Sequence, residues 1–324
     1  MNLNFSIFNK VFPSPPARMI GGVLALVVLS LQAYHLTPVE DGSQLIAVSI
    51  VNQKVVIPWV VVFLFGFCCV IASLMVVLKM NANHRFMDGE SFPLAIFLIV
   101  ALSSFPSVFI HPEMLFSSFL GIVIISLLLN IYNQKSIAGI IFQASFLCSI
   151  AVLFYAPSII SLLIILIGVS IFRPFNIRNL LLIVVGFLLL YIYFFGFSYL
   201  FDWTLQLPLN VKLEFSKTIE MLLDPSKIGV GVVFLIAIIA LSRVYAKRQR
   251  LIVRQRNQLS LLFAALLLYL IVGLLFSLSG SFLFLFSLSG LFFLFLYHSM
   301  NKKWLVEVPL IGLLIYNSLV SIFN

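Results

Sequence analysis

Residues 136–172 read SIAGIIFQASFLCSIAVLFYAPSIISLLIILIGVSIF and contain no charged side chain. A membrane-spanning helix needs about 20 apolar residues, so this run is long enough for two passes. Pro157, in "FYAPS", divides it, because proline lacks a backbone donor and disfavours helix in the residue before it. The rest of the chain is of the same kind. Of 324 residues, 63% are hydrophobic and 9% charged, and Phe alone contributes 34. A soluble domain carries roughly a quarter charged residues. A chain this apolar needs the bilayer as its solvent. The expected fold is all-α: a polytopic transmembrane helix bundle forming one integral membrane domain over residues 1–324.

On either side of that run, the apolar segments give about 11 spans at the usual length. Before it lie Met19–Leu36, Val55–Leu78, Pro93–Ile110 and Met114–Tyr132. The run itself supplies the fifth and sixth. After it come Leu180–Leu200, Ile228–Tyr245, Leu259–Ser277, Phe282–Ser299 and Val306–Phe323. Lys10 and Arg18 precede the first span like the charged start of a signal peptide. The apolar run is too long for one, however, and no small-x-small cleavage site follows, so an uncleaved first span is expected.

Charge sets the expected orientation. With the N-terminus in the cytoplasm, Lys54, Lys212, Lys217 and Lys227 fall outside and the other 15 of the 19 basic residues inside, as the positive-inside rule requires. The net charge of +9 therefore belongs to short loops and points to membrane lipids as partners rather than to nucleic acid. The segment at about 243–257, RVYAKRQRLIVRQRN, is the main basic cytoplasmic loop. The outer loop at about 201–227 has an amphipathic centre and is expected to carry an interfacial helix. Cys68, Cys69 and Cys148 all lie within apolar runs and read as packing residues.

No phosphate-binding glycine loop, HExxH, GxSxG or zinc spacing occurs. No ionisable residue lies near the middle of a span, where an ion-coupled carrier would place one. Chemistry is thereby moved to the membrane surfaces. On the outer face, His35, Glu40 and Asp41 follow the first span, and His111 and Glu113 occupy the tight turn "IHPEM". These oxygen and imidazole groups suit a divalent cation, Mg²⁺ or Mn²⁺. A carboxylate among them suits a general base toward an acceptor hydroxyl. The plainer reading is a solvated loop at Glu40 and Asp41 and a capped turn at His111 and Glu113. On the inner face, "FRPFNIRN" sets Arg173 and Arg178 about a proline, where guanidinium groups suit phosphate or lipid headgroups. The plainer reading there is a charge anchor.

Two resemblances add to this. The segments "HPEMLFSSFLGIVIISLLLNIYNQKS" and "SIAVLFYAPSIISLLIILIGVSIFRPFNIRNLLLIVVGFLLLYIYFF" resemble an uncharacterised family of multi-pass inner-membrane proteins from Bacteroidetes. That resemblance implies a bacterial inner-membrane address. The layout also resembles C-type glycosyltransferases, which use polyprenyl-phosphate sugars. Their first outer loop supplies the catalytic base, and a residue of the second helps bind metal or substrate. Carried over, Asp41 or Glu40 would be the base, with His111, Glu113 and His35 as helpers. This chain differs in its short first loop and lacks a separate soluble domain. Two further readings stay open: a non-enzymatic subunit or scaffold of a cell-envelope complex, and a lipid or small-molecule transporter.

Overall fold

The computed structural model describes residues 43–47, 54–84, 92–103, 112–134, 136–173, 176–200, 228–247, 252–275, 278–299, 303, 307–313 and 315–316. Almost all of them are helical. A short antiparallel hairpin comes first: β1 (Ser43–Ala47) pairs with β2 (Lys54–Pro58), Ser43 opposite Pro58 and Ala47 opposite Lys54. Then follow α1 (Trp59–His84), α2 (Phe92–Ser103), α3 (Pro112–Asn130), α4 (Ala138–Phe154), α5 (Ile160–Phe172), α6 (Ile177–Leu200), α7 (Ile228–Lys247), α8 (Val253–Leu275) and α9 (Leu278–Ser299). Residues 307–313 are helical again.

The hairpin corrects the expected start of the second span. Val55–Pro58 belong to a strand, and the helix begins only at Trp59. The expected first span and the interfacial helix at 201–227 lie outside the described residues. Among the described residues, four helical segments are long and apolar enough to cross a membrane: Leu64–His84, Pro112–Asn130, Ile177–Phe197 and Val253–Gly273. Ala138–Phe154 and Ala156–Phe172 are equally apolar in character but shorter. The protein is thus a multi-pass membrane protein built as a helix bundle.

The break at Pro157 is local and sharp. Tyr155 leaves α4 in an extended conformation, φ −144°, and Ala156–Ile159 form one 3-10 turn that runs directly into α5. At the other end of α5, Arg173 is extended, φ −142°. Pro174 follows it, and a residue before proline is disfavoured in the helical region. Asn176 then restarts the chain: its side-chain Oδ1 accepts from the Arg178 backbone N–H, 3.1 Å, which caps α6.

α3 and α9 form the centre. α3 packs against α1, α4, α5 and α9, and α9 also packs against α2, α7 and α8. Aromatic pairs fill the seams. Phe97 stacks on Phe293 at 4.6 Å, and Phe116 meets Phe154 edge-on at 4.9 Å. Small residues bring backbones close, as apolar lipid gives helices no hydrophobic reason to associate. A Cβ on Gly121 would lie 2.7 Å from Tyr269 Oη, and one on Gly290 would lie 2.7 Å from Leu94 Cδ1. α6 stands at the edge, held chiefly by α4.

Candidate functional site

The two ends of the bundle differ in chemistry. At one end, β1 packs against α3 and the hairpin leads straight into α1. Phe65, near the start of α1, lies 5.7 Å from Phe116, near the start of α3. The chain just beyond Asp41 is therefore beside the helix that begins at Pro112. Proline suits this first helical position, where no backbone donor is needed. Glu113 follows in the first turn, half-buried, where a carboxylate complements the helix dipole.

Glu113, Ser117 and Gly121 recur every four residues and so share one face of α3. That face meets a line of hydroxyls. Ser117 donates to the Ala151 carbonyl, 3.2 Å, and its oxygen is hydrogen-bonded to Ser158. One turn further, Ser161 and Tyr269 share a 2.6 Å hydrogen bond, and the Tyr269 ring stacks on Phe284 at 3.5 Å. The Tyr155–Ile159 break is what turns Ser158 and Ser161 toward these partners. Ser117, Ser158 and Ser161 thus bond to hydroxyls and a carbonyl. None has the adjacent base that a serine nucleophile requires. They join α3, α5 and α8.

Of the residues singled out in the sequence, His35, Glu40, Asp41 and His111 lie outside the described residues. Glu113 is at the end of the bundle next to the hairpin. Among the described residues no three His, Cys, Asp or Glu side chains gather as a metal site would need. The three cysteines are free thiols, two of them buried.

The opposite end is basic and partly polar inside. Arg173 is exposed, and its guanidinium donates to the Gln134 carbonyl, 3.0 Å, which ties the end of α5 to the turn after α3. Arg178 is exposed in the first turn of α6. Arg254 lies 5.3 Å over the Tyr132 ring. Gln258, fully buried, donates from Nε2 to His84 Nδ1 at 3.0 Å. Arg254 Nε and Gln258 Oε1 have no hydrogen-bond partner among the described residues. These bonds link the ends of α1, α3 and α5 with the start of α8, so the helices run in alternate directions.

Near the chain's last described segment, Tyr297 donates to Glu307 at 2.6 Å, and Lys303 Nζ lies 5.1 Å over the Tyr297 ring. Glu307, the second residue of the expected last span, is fully buried at the start of its helix. His84 and Gln258 escaped notice because each follows or precedes an apolar run at a place where a solvated loop is the default. The lone Tyr269 in "LLLYLIV" carried a usable signal, since a hydroxyl in hydrocarbon needs a partner.

No family model, no curated protein and no solved structure matches this chain.

Proposed function

We propose that the chain is a bacterial inner-membrane protein that transfers a sugar or similar group from a lipid-phosphate-linked donor at the outer face. In this reading it has about 11 spans at the usual length and a cytoplasmic N-terminus, with Lys and Arg gathered at the inner surface. Asp41 or Glu40 acts as general base toward the acceptor hydroxyl. His35, His111 and Glu113 bind the donor phosphate through a divalent cation such as Mg²⁺ or Mn²⁺. Arg173 and Arg178 hold lipid headgroups at the other surface.

The single observation that carries this reading is the packing of β1 against α3. It draws the chain two residues beyond Asp41 to the helix whose first turn holds Glu113. A strand that starts shortly after the first pair of acids thus lies beside the helix that carries Glu113, which supports the reading.

The test is surface glycan in cells carrying Asp41→Asn or Glu113→Gln. Removing a general base lowers a rate roughly 10²–10⁴-fold, so the Asp41→Asn cells should lose the glycan while keeping the protein. Full glycan with normal protein levels in both variants would overturn the proposal. Labelling of a cysteine at position 41 from the cytosolic side would do so too.

A second reading is favoured by the apolar flank of α6, where Leu188, Ile192, Tyr193 and Phe195 are exposed. On that reading the chain is a non-enzymatic subunit, and α6 seats an envelope-complex partner. Purification in several mild detergents that gives only a lone monomer would argue against it.

A further inference from the structure

At the basic end a groove opens between α7 and α8. Its floor is Val244, Leu259 and Phe292, all buried, and its rim is Tyr245 and Phe263, both exposed. Leu241 and Ser260 complete it. The enclosed volume is about 100 Å³. Sites for compact soluble ligands hold roughly 300–1,000 Å³ and present several converging polar groups. Here the lining offers only two hydroxyls, Tyr245 on the exposed rim and Ser260, whose hydroxyl is engaged with the Arg256 carbonyl at 2.8 Å. The groove is too small and too apolar for a sugar or nucleotide, and a flexible hydrocarbon chain suits it.

Charge decides which hydrocarbon. Arg256, Leu259, Ser260 and Phe263 are spaced at i, i+3, i+4 and i+7, so they lie along one face of α8. Arg256 is exposed one turn beyond the groove, toward the basic end. Lys247, the last residue of α7, and Arg248 and Arg250 in the sequence that follows it add to this charge. A ligand seated here therefore has an apolar tail in the groove and a negative head at Arg256. Guanidinium is well suited to phosphate, which it binds through two parallel donors.

We infer that this groove is a binding site for an anionic phospholipid, one acyl chain lying between α7 and α8 and the phosphate resting on Arg256. The site is at the end of the bundle away from Glu113 and does not depend on transfer chemistry there.

The test uses the full chain in mild detergent, with phosphatidylglycerol or phosphatidylcholine added and retained lipid counted by native mass spectrometry. The wild type should retain phosphatidylglycerol preferentially. One Arg near a lipid phosphate is worth about a five-fold change in affinity, so Arg256→Gln should lose about that much of the preference. Ser260→Leu fills the groove and should lower retention of both lipids. Lys79→Gln removes an exposed charge on α1 at the same end and should change neither.

Equal losses from Lys79→Gln and Arg256→Gln would show diffuse attraction and overturn the site. So would unchanged retention in Ser260→Leu. A wild-type dimer that Ser260→Leu converts to monomer would assign the groove to a second copy instead. Arg256 is exposed, so the Arg256→Gln protein should fold, and unchanged lipid preference in it would be decisive against the inference.

Discussion

α3 and α6 are both long enough to cross a membrane, and both are almost wholly apolar. Within their apolar windows, 61% of α3 is buried but only 11% of α6. Hydrophobicity therefore does not tell which helix is central. In water, the more apolar helix would be the buried one. In lipid, bulk apolarity is satisfied equally well at the surface, and the central position goes to the helix that can be approached closely. α3 carries Ser117, Ser118 and Gly121 on its buried surface. α6 presents Ile192, Tyr193 and Phe195 outward and brings only a limited face, around Gly186, to α4.

Substitutions that exchange these properties should break the contrast. The largest effect is expected at Gly121. An added methyl would collide with Tyr269 Oη at 2.7 Å and with Phe284 at 2.9 Å. Overpacking of this kind costs roughly 1–3 kcal/mol. Thermal unfolding in detergent should show a clear drop for Gly121→Ala and none for Gly196→Ala on α6, where nothing lies within 4 Å. Equal behaviour of the two variants would refute the idea that close approach decides the centre.

A smaller loss is expected for Tyr269→Phe, which removes the hydrogen bond to Ser161. Interhelical hydrogen bonds inside membranes average about 0.6 kcal/mol, with a maximum near 1.7. The same unfolding assay, repeated on Ser161→Ala and on the double variant, should give a coupling of that size. Additive losses would mean the pair contributes nothing of its own.

The smallest effect belongs to Ile192→Ala on α6. Ile192 is 68% exposed. Surface substitutions typically stay within about 0.5 kcal/mol, and so should this one. If the isolated chain is unaffected but co-purification of another membrane protein is lost, α6 seats a partner and the subunit reading gains.

What the sequence made legible was whatever has a local cause. The Pro157 break follows from proline's missing donor, and it sits where the 37-residue run required it. The end of α5 at Arg173 follows from Pro174 in the same way. The hairpin was not legible. Val55, Val56 and Ile57 form a short apolar run, and periodicity cannot separate such a run from the start of a helix. Only pairing with Ser43–Ala47 makes it a strand, and pairing is not a local property.

The same limit applied to the site. Glu113 was visible because Pro112 and Glu113 are both typical of a helix start. Its alignment with Ser117 and Gly121 could be read from spacing, but the partners Ser158 and Tyr269 come from distant segments. The burial of Glu307 had no local signal, because its partner Tyr297 belongs to the preceding helix.

The passage from α4 to α5 has a consequence for the rotational setting of everything after it. Tyr155–Ile159 contains no slack, so the angular phase of α5 is inherited directly from α4. One extra residue inserted there would turn α5 by about 100° about its axis. Ser161 would swing away from Tyr269, and Gly168 would no longer receive Leu128 and Leu261. The stretch works as a fixed gear tooth between two helices, intolerant of any change in its length.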